Sequence, residues 1–115
     1  MPALPGEVEL EAFFRAHQVR MVSAGLRIQF HYNQPPGVHF KVEPPDEYRA
    51  AIVRGIKDGL ALRFPDFCAS ASVWVTGITA DPVESSSAAF YQVARMAVDL
   101  AHSRITTTVR TDELG

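Results

Sequence analysis

Hydrophobic and polar residues alternate most cleanly after Gly25. Leu26, Ile28, Phe30 and Tyr32 are apolar or aromatic, and Arg27, Gln29 and His31 stand between them. A period of two predicts a strand with one buried and one wet face. Asn33-Gln34-Pro35-Pro36-Gly37 then breaks the pattern with turn residues. Beyond it Val38, Phe40 and Val42 alternate with His39, Lys41 and Glu43. Two such runs about a Gly/Pro turn predict an antiparallel hairpin.

The period changes at Pro44-Pro45-Asp46-Glu47. Proline fits the first turn of a helix, and acidic residues there complement its dipole. Tyr48, Ile52, Gly55, Ile56, Gly59 and Leu60 then share one face, with Arg54, Lys57 and Asp58 opposite. Each buried glycine costs about 1 kcal/mol relative to alanine. The compensation expected is close approach of this helix to a sheet. Phe64-Pro65-Asp66 reads as a loop, and 69–79 as a strand with Ala71, Val73 and Val75 inward and Ser72, Trp74 and Thr76 outward. Asp81-Pro82 turns the chain. Ser85, Ser86 and Ser87 offer capping hydroxyls for a second helix over 86–103. There Phe90, Val93, Ala94, Ala97 and Ala101 share one side, and Tyr91, Arg95, Asp99 and His102 the other.

The start is ambiguous. Glu7 to His17 holds good helix formers, yet Val8 to Ala12 alternates as a strand does. A hairpin plus one strand makes a narrow sheet for two helices, which favours a further strand. Residues 1–7 read as a flexible leader and 105–115, which lack helical spacing, as a fraying tail.

Composition narrows the class. A chain of 115 residues with 47% hydrophobic content suits one globular domain. The net charge of -2 argues against a dedicated nucleic-acid binder, although net charge does not report local patches. One cysteine, Cys68, makes no internal disulfide and reads as a small buried hydrophobe near a strand start. Without signal-peptide features or an apolar run long enough to span a bilayer, the expected compartment is the cytoplasm, with no membrane partner.

Three stretches together resemble a known family. Pro45-Asp46-Glu47-Tyr48, with Ala51, Gly55-Ile56 and Gly59-Leu60, is similar to the P-x-E-Y…A-V-x-x-G-I helix of the fourth domain of elongation factor G. Val83-Glu84-Ser85-Ser86 with Ala89-Phe90 resembles the V-D-S-S-x-x-A-F start of that domain's last helix. Val8-Glu9-Leu10-Glu11 resembles its opening V-E-V-E strand. The resemblance spans 8–103 and implies an α+β fold. Its sheet has four mostly antiparallel strands, two helices lie on one face, and the β-α-β crossover is left-handed. It makes 8–15 a strand and the domain 8–104. It also implies a partner, because in the whole factor this arm reaches the decoding centre of the small ribosomal subunit. RNA or the small subunit is therefore the expected partner. No G-x-x-x-x-G-K-[ST] loop is present, so no nucleotide or other cofactor is expected.

The resemblance departs at the tips. The family's tip histidine matches Asp81 here, followed by Pro82, and a carboxylate repels RNA phosphates. The turn Gln34-Pro35-Pro36-Gly37 is short. Gln18-Val19-Arg20-Met21-Val22 replaces a glycine-rich loop.

The remaining candidate chemistry lies on the sheet face away from the helices. Alternation puts Arg27, Gln29, His31, His39, Lys41, Trp74 and Thr76 there. Cations beside an aromatic supply phosphate contact and base stacking. The competing readings are an ordinary solvated face and a protein or homodimer interface centred on Trp74 and Phe13. His31 and His39, flanking the expected hairpin, lack the further ligands of a metal site. Glu84 and the serines read as helix capping rather than catalysis. Arg49, Arg54, Lys57 and Arg63 alternate with Asp46, Glu47 and Asp58 as a mixed solvated face. The expectation is a non-catalytic, cytoplasmic binding module of ribosome or RNA. The alternative is a diverged protein-interaction domain.

Overall fold

A computed structural model describes residues 9–17, 21–31, 35–66, 69–81 and 85–114, with side chains placed within 24–103. In chain order they form β1 (Glu9–His17), β2 (Met21–His31), β3 (Gly37–Phe40), α1 (Asp46–Arg63), β4 (Ser72–Thr79) and α2 (Ser87–Leu114). Tyr32, Asn33, Gln34, Cys68, Pro82, Val83, Glu84, the leader and the 18–20 turn lie outside the described residues.

The strands form one sheet in the order β1-β2-β4-β3. β1 and β2 pair antiparallel, as do β2 and β4, while β3 runs parallel to β4. This corrects the hairpin expected from the Gly/Pro turn: β4 lies between β2 and β3. A turn sequence reports that the chain reverses, not which strand it reverses onto. Val73 and Val75 of β4 are fully buried, so a central position flanked on both sides suits β4 best. α1 supplies the crossover that parallel neighbours need.

Alternation holds along β2: Ala24, Leu26, Ile28 and Phe30 are buried, and Arg27 between them is exposed. The same core takes Ile52, Ile56 and Leu60 from α1 and Phe90, Val93, Ala97 and Val98 from α2. Both helices therefore cover one face of the sheet. Phe64, just past α1, is also core, its ring 6.0 Å from that of Phe30.

Gly55 and Gly59 are buried, but against the other helix and not the sheet. A Cβ on Gly55 would lie 2.6 Å from the Tyr91 carbonyl oxygen and 2.7 Å from Ala94 Cβ. One on Gly59 would lie 2.9 Å from Val98 Cβ. The missing side chains thus let two helices touch backbone to side chain, the small-residue packing familiar from membranes but here in a globular core.

The tail is corrected too. Helix α2 continues through Leu114 instead of ending near 103. No glycine or proline interrupts 87–114, and adding a residue to an existing helix is far easier than starting one. At its start, Ser86 Oγ accepts the Ala89 N–H at 3.1 Å, an N-cap as the serine run predicted. β4 begins at Ser72, later than the expected 69.

Candidate functional site

The sheet face opposite the helices gathers the residues that alternation assigned to it. One row across the strands runs Gln29–Trp74–His39, set by the register of β2, β4 and β3. Trp74 is half-buried at its centre. The His39 ring stacks on the indole at 4.8 Å with 30° between planes. His31 packs against it from the β2 side at 5.7 Å, and Lys41 Nζ stands 5.7 Å from the ring centroid. A cation at that range is attracted by the ring's negative face.

Hydrogen bonds hold the histidines in place. His39 Nε2 donates to the Pro35 carbonyl at 2.8 Å, tying the loop before β3 to the sheet. His31 Nε2 donates to Gln29 Oε1 at 3.0 Å. His31 and His39 do not meet across a hairpin: β4 separates them, and Trp74 sits between. Among the described residues no three His, Cys, Asp or Glu side chains group as a metal site.

The next row departs from simple alternation. The β2–β4 register shifts between Arg27 and Ile28: Ile28 pairs with Val75, and Arg27 with Gly77. Thr76 is the extra residue of a bulge, which re-aims the side chains around it. A Cβ on Gly77 would lie 3.3 Å from Arg27 Cβ and 3.4 Å from Arg27 Nε. The guanidinium arm therefore lies across the space that a side chain at 77 would fill. An isolated glycine in a strand pattern is the sequence mark of such a close approach. The bulge also returns Ile78 to the core side, where it packs.

Among the described residues, Trp74 Nε1 and Ser72 Oγ on β4 are buried without a hydrogen-bond partner. Leaving such a group unsatisfied costs about 1–3 kcal/mol, so the face is not optimised for stability alone. Charge on it is uneven. β1 places Glu9 and Glu11 in register with Gln29 and Arg27, whereas β2, β4 and β3 carry Arg27, His31, His39 and Lys41.

No family model matches this chain, and no curated protein does. Solved structures do, among them a protein of Thermus thermophilus at a TM-score of 0.63 and 17% identity. The match covers 89% of this chain and 16% of that one. At this identity the likeness is one of fold, and the chain spans about a sixth of its neighbour's length.

The expected tip residues divide between opposite ends. Pro35 and Pro36 are exposed beside the start of β4, and Asp81 is exposed beyond its end. Eight strand residues separate these ends by about 25 Å, so the two loops do not form one tip. The Asp81 loop is closed on itself: the Asp81 N–H bonds Ser85 Oγ at 2.8 Å.

The helix surface is paired rather than open. Tyr91 Oη donates to Asp58 at 2.6 Å and accepts from Arg95 Nη1 at 3.3 Å, and Arg54 lies 4.9 Å over the Tyr91 ring. The hydrogen bond to Tyr91 raises the Arg95 pKa above the ordinary arginine value, against a smaller opposing effect of burial. Arg63 bonds Asp99 at 3.0 Å. Asp46, Arg49, Val53, Arg54 and Lys57 line only a shallow surface along α1. Among the described residues no helix is long and apolar enough to cross a membrane.

Proposed function

We propose that this domain is a non-catalytic binding module related to the fourth domain of elongation factor G, and that its partner is RNA, most simply that of the small ribosomal subunit. The observation that carries this reading is the grouping of His31, His39 and Lys41 around Trp74, with Arg27 in the neighbouring row, on the one sheet face the helices leave open. Cations there neutralise phosphates, and aromatic rings accept bases of any sequence. The four-stranded sheet with both helices on one face, and the β3-α1-β4 unit of adjacent parallel strands, agree with the fold that the resemblance implies.

Co-sedimentation with small ribosomal subunits, and with single-stranded RNA, tests the proposal across a salt series. Binding at low salt should weaken linearly on a log–log plot as salt rises. No association at the lowest salt would remove the RNA reading.

A second reading has its own support. His39 already covers one side of Trp74, and Glu9 and Glu11 mix the charge at the β1 side, as a protein interface tolerates better than RNA does. Sedimentation velocity of the wild type and Trp74→Ala distinguishes self-association: a concentration-dependent dimer lost in the variant supports it, and monomers in both exclude it.

A further inference from the structure

The geometry points to a phosphate-binding subsite on β2–β4–β3, formed by Arg27 and Lys41 on either side of the β4 bulge at Thr76 and Gly77. This deepens the proposed function and rests on it only for the source of the phosphate.

The register builds the subsite. Arg27 pairs with Gly77, and the Lys41 N–H bonds the Val75 carbonyl at 2.9 Å, so Lys41 stands level with the bulge on the other side of β4. The two cationic residues are thus two strands apart, about 10 Å at the backbone. Both side chains are long enough to close that gap from its two sides. Of the two bulge positions between them, Thr76 stands level with Lys41, while Gly77 carries no side chain and the guanidinium arm of Arg27 lies over it. Trp74 walls one side, with Lys41 Nζ 5.7 Å from its ring centroid.

The groups converging here are donors. Guanidinium and ammonium are both positive and both donate hydrogen bonds. A tetrahedral phosphate offers several acceptor oxygens to a planar guanidinium and to a point-charge ammonium at once. A cationic ligand is repelled here, and a neutral one leaves both charges uncompensated. Glu11 holds the register position opposite Arg27. An acidic residue at that position makes Glu11→Gln an informative variant.

Trp74 is the chain's only tryptophan and reports on its own neighbourhood. Its fluorescence should be followed while potassium phosphate, a single-stranded oligoribonucleotide and a neutral methylphosphonate oligonucleotide are added separately at matched ionic strength. Phosphate and the RNA should perturb the signal, and the neutral strand should not. Arg27→Gln and Lys41→Gln should each weaken binding about tenfold, as loss of a charge-assisted contact does. They should also lower the RNA salt slope by about 1 each. Glu11→Gln should tighten binding. Gly77→Val, which fills the space under Arg27, should weaken it, with circular dichroism confirming the fold.

The failures separate. RNA binding undiminished in the Arg27→Gln/Lys41→Gln double variant overturns the subsite and leaves the RNA reading standing. Phosphate binding without RNA binding keeps the subsite, assigns it to a free phosphate monoester and removes the RNA reading. Equal response to the neutral strand, or none to any of the three, overturns the subsite.

Discussion

Gly55 meets a backbone carbonyl, and Gly59 meets a valine side chain. That difference orders their mutants. Alanine gains about 1 kcal/mol over glycine in a helix, while overpacking costs about 1–3 kcal/mol. The Tyr91 carbonyl is α2 backbone, and Val98 Cβ moves only with the α2 backbone that carries it. Gly55→Ala and Gly59→Ala should therefore both lower the urea midpoint, Gly55→Ala the more because its contacts are closer. A Gly55→Ala protein at least as stable as wild type would contradict the helix contact. Phe64 poses the opposite problem. It reads as a loop residue because Pro65-Asp66 follows it, yet it is 1% exposed and packs against both Phe30 and His102. Phe64→Ala should cost about 3–5 kcal/mol in chemical denaturation, the range for a buried aromatic. A loss below about 1 kcal/mol, less than the low end of that range, would place the ring outside the core.

At the scale of elements, local rules work where the deciding contacts are local. The helix start at Asp46 follows from Pro45 and two acidic residues. The capping role of Ser86 follows from the serine run. Ser86→Ala should cost about 1 kcal/mol of stability, and Ser85→Ala, whose hydroxyl binds the loop at Asp81 instead, should leave helix content unchanged by circular dichroism. Local rules fail where an element's partner lies far away in sequence. A hairpin between β2 and β3 follows from turn chemistry, but β4 outcompetes β3 for the long flank of β2. The end of α2 escapes a reading by periodicity because 105–114 lacks an apolar stripe. A missing stripe argues against burial, not against a helix already under way.

The whole molecule draws sheet and helices into a single core, so it should unfold as one unit. Trp74 fluorescence reports the outer sheet face, and far-ultraviolet circular dichroism mainly the helices. Their urea transitions should coincide, and separated midpoints would show that the helix pair survives without the sheet. The net charge of -2 is no guide to the outer face. Asp58 and Asp99 on the two helices are engaged with Tyr91 and Arg63, which leaves the β2–β4–β3 strip its own local sign.

Alternation alone determined which side chains of β2, β3 and β4 as far as Thr76 share the outer face, because the pleat makes every second residue a neighbour whatever the strand pairs with. It likewise determined the buried faces of both helices. Only the tertiary structure decided that Trp74 sits between the two histidines and that Arg27 and Lys41 flank the β4 bulge. Those facts depend on strand order and on one bulge, and both are set by competition between segments distant from one another in the chain.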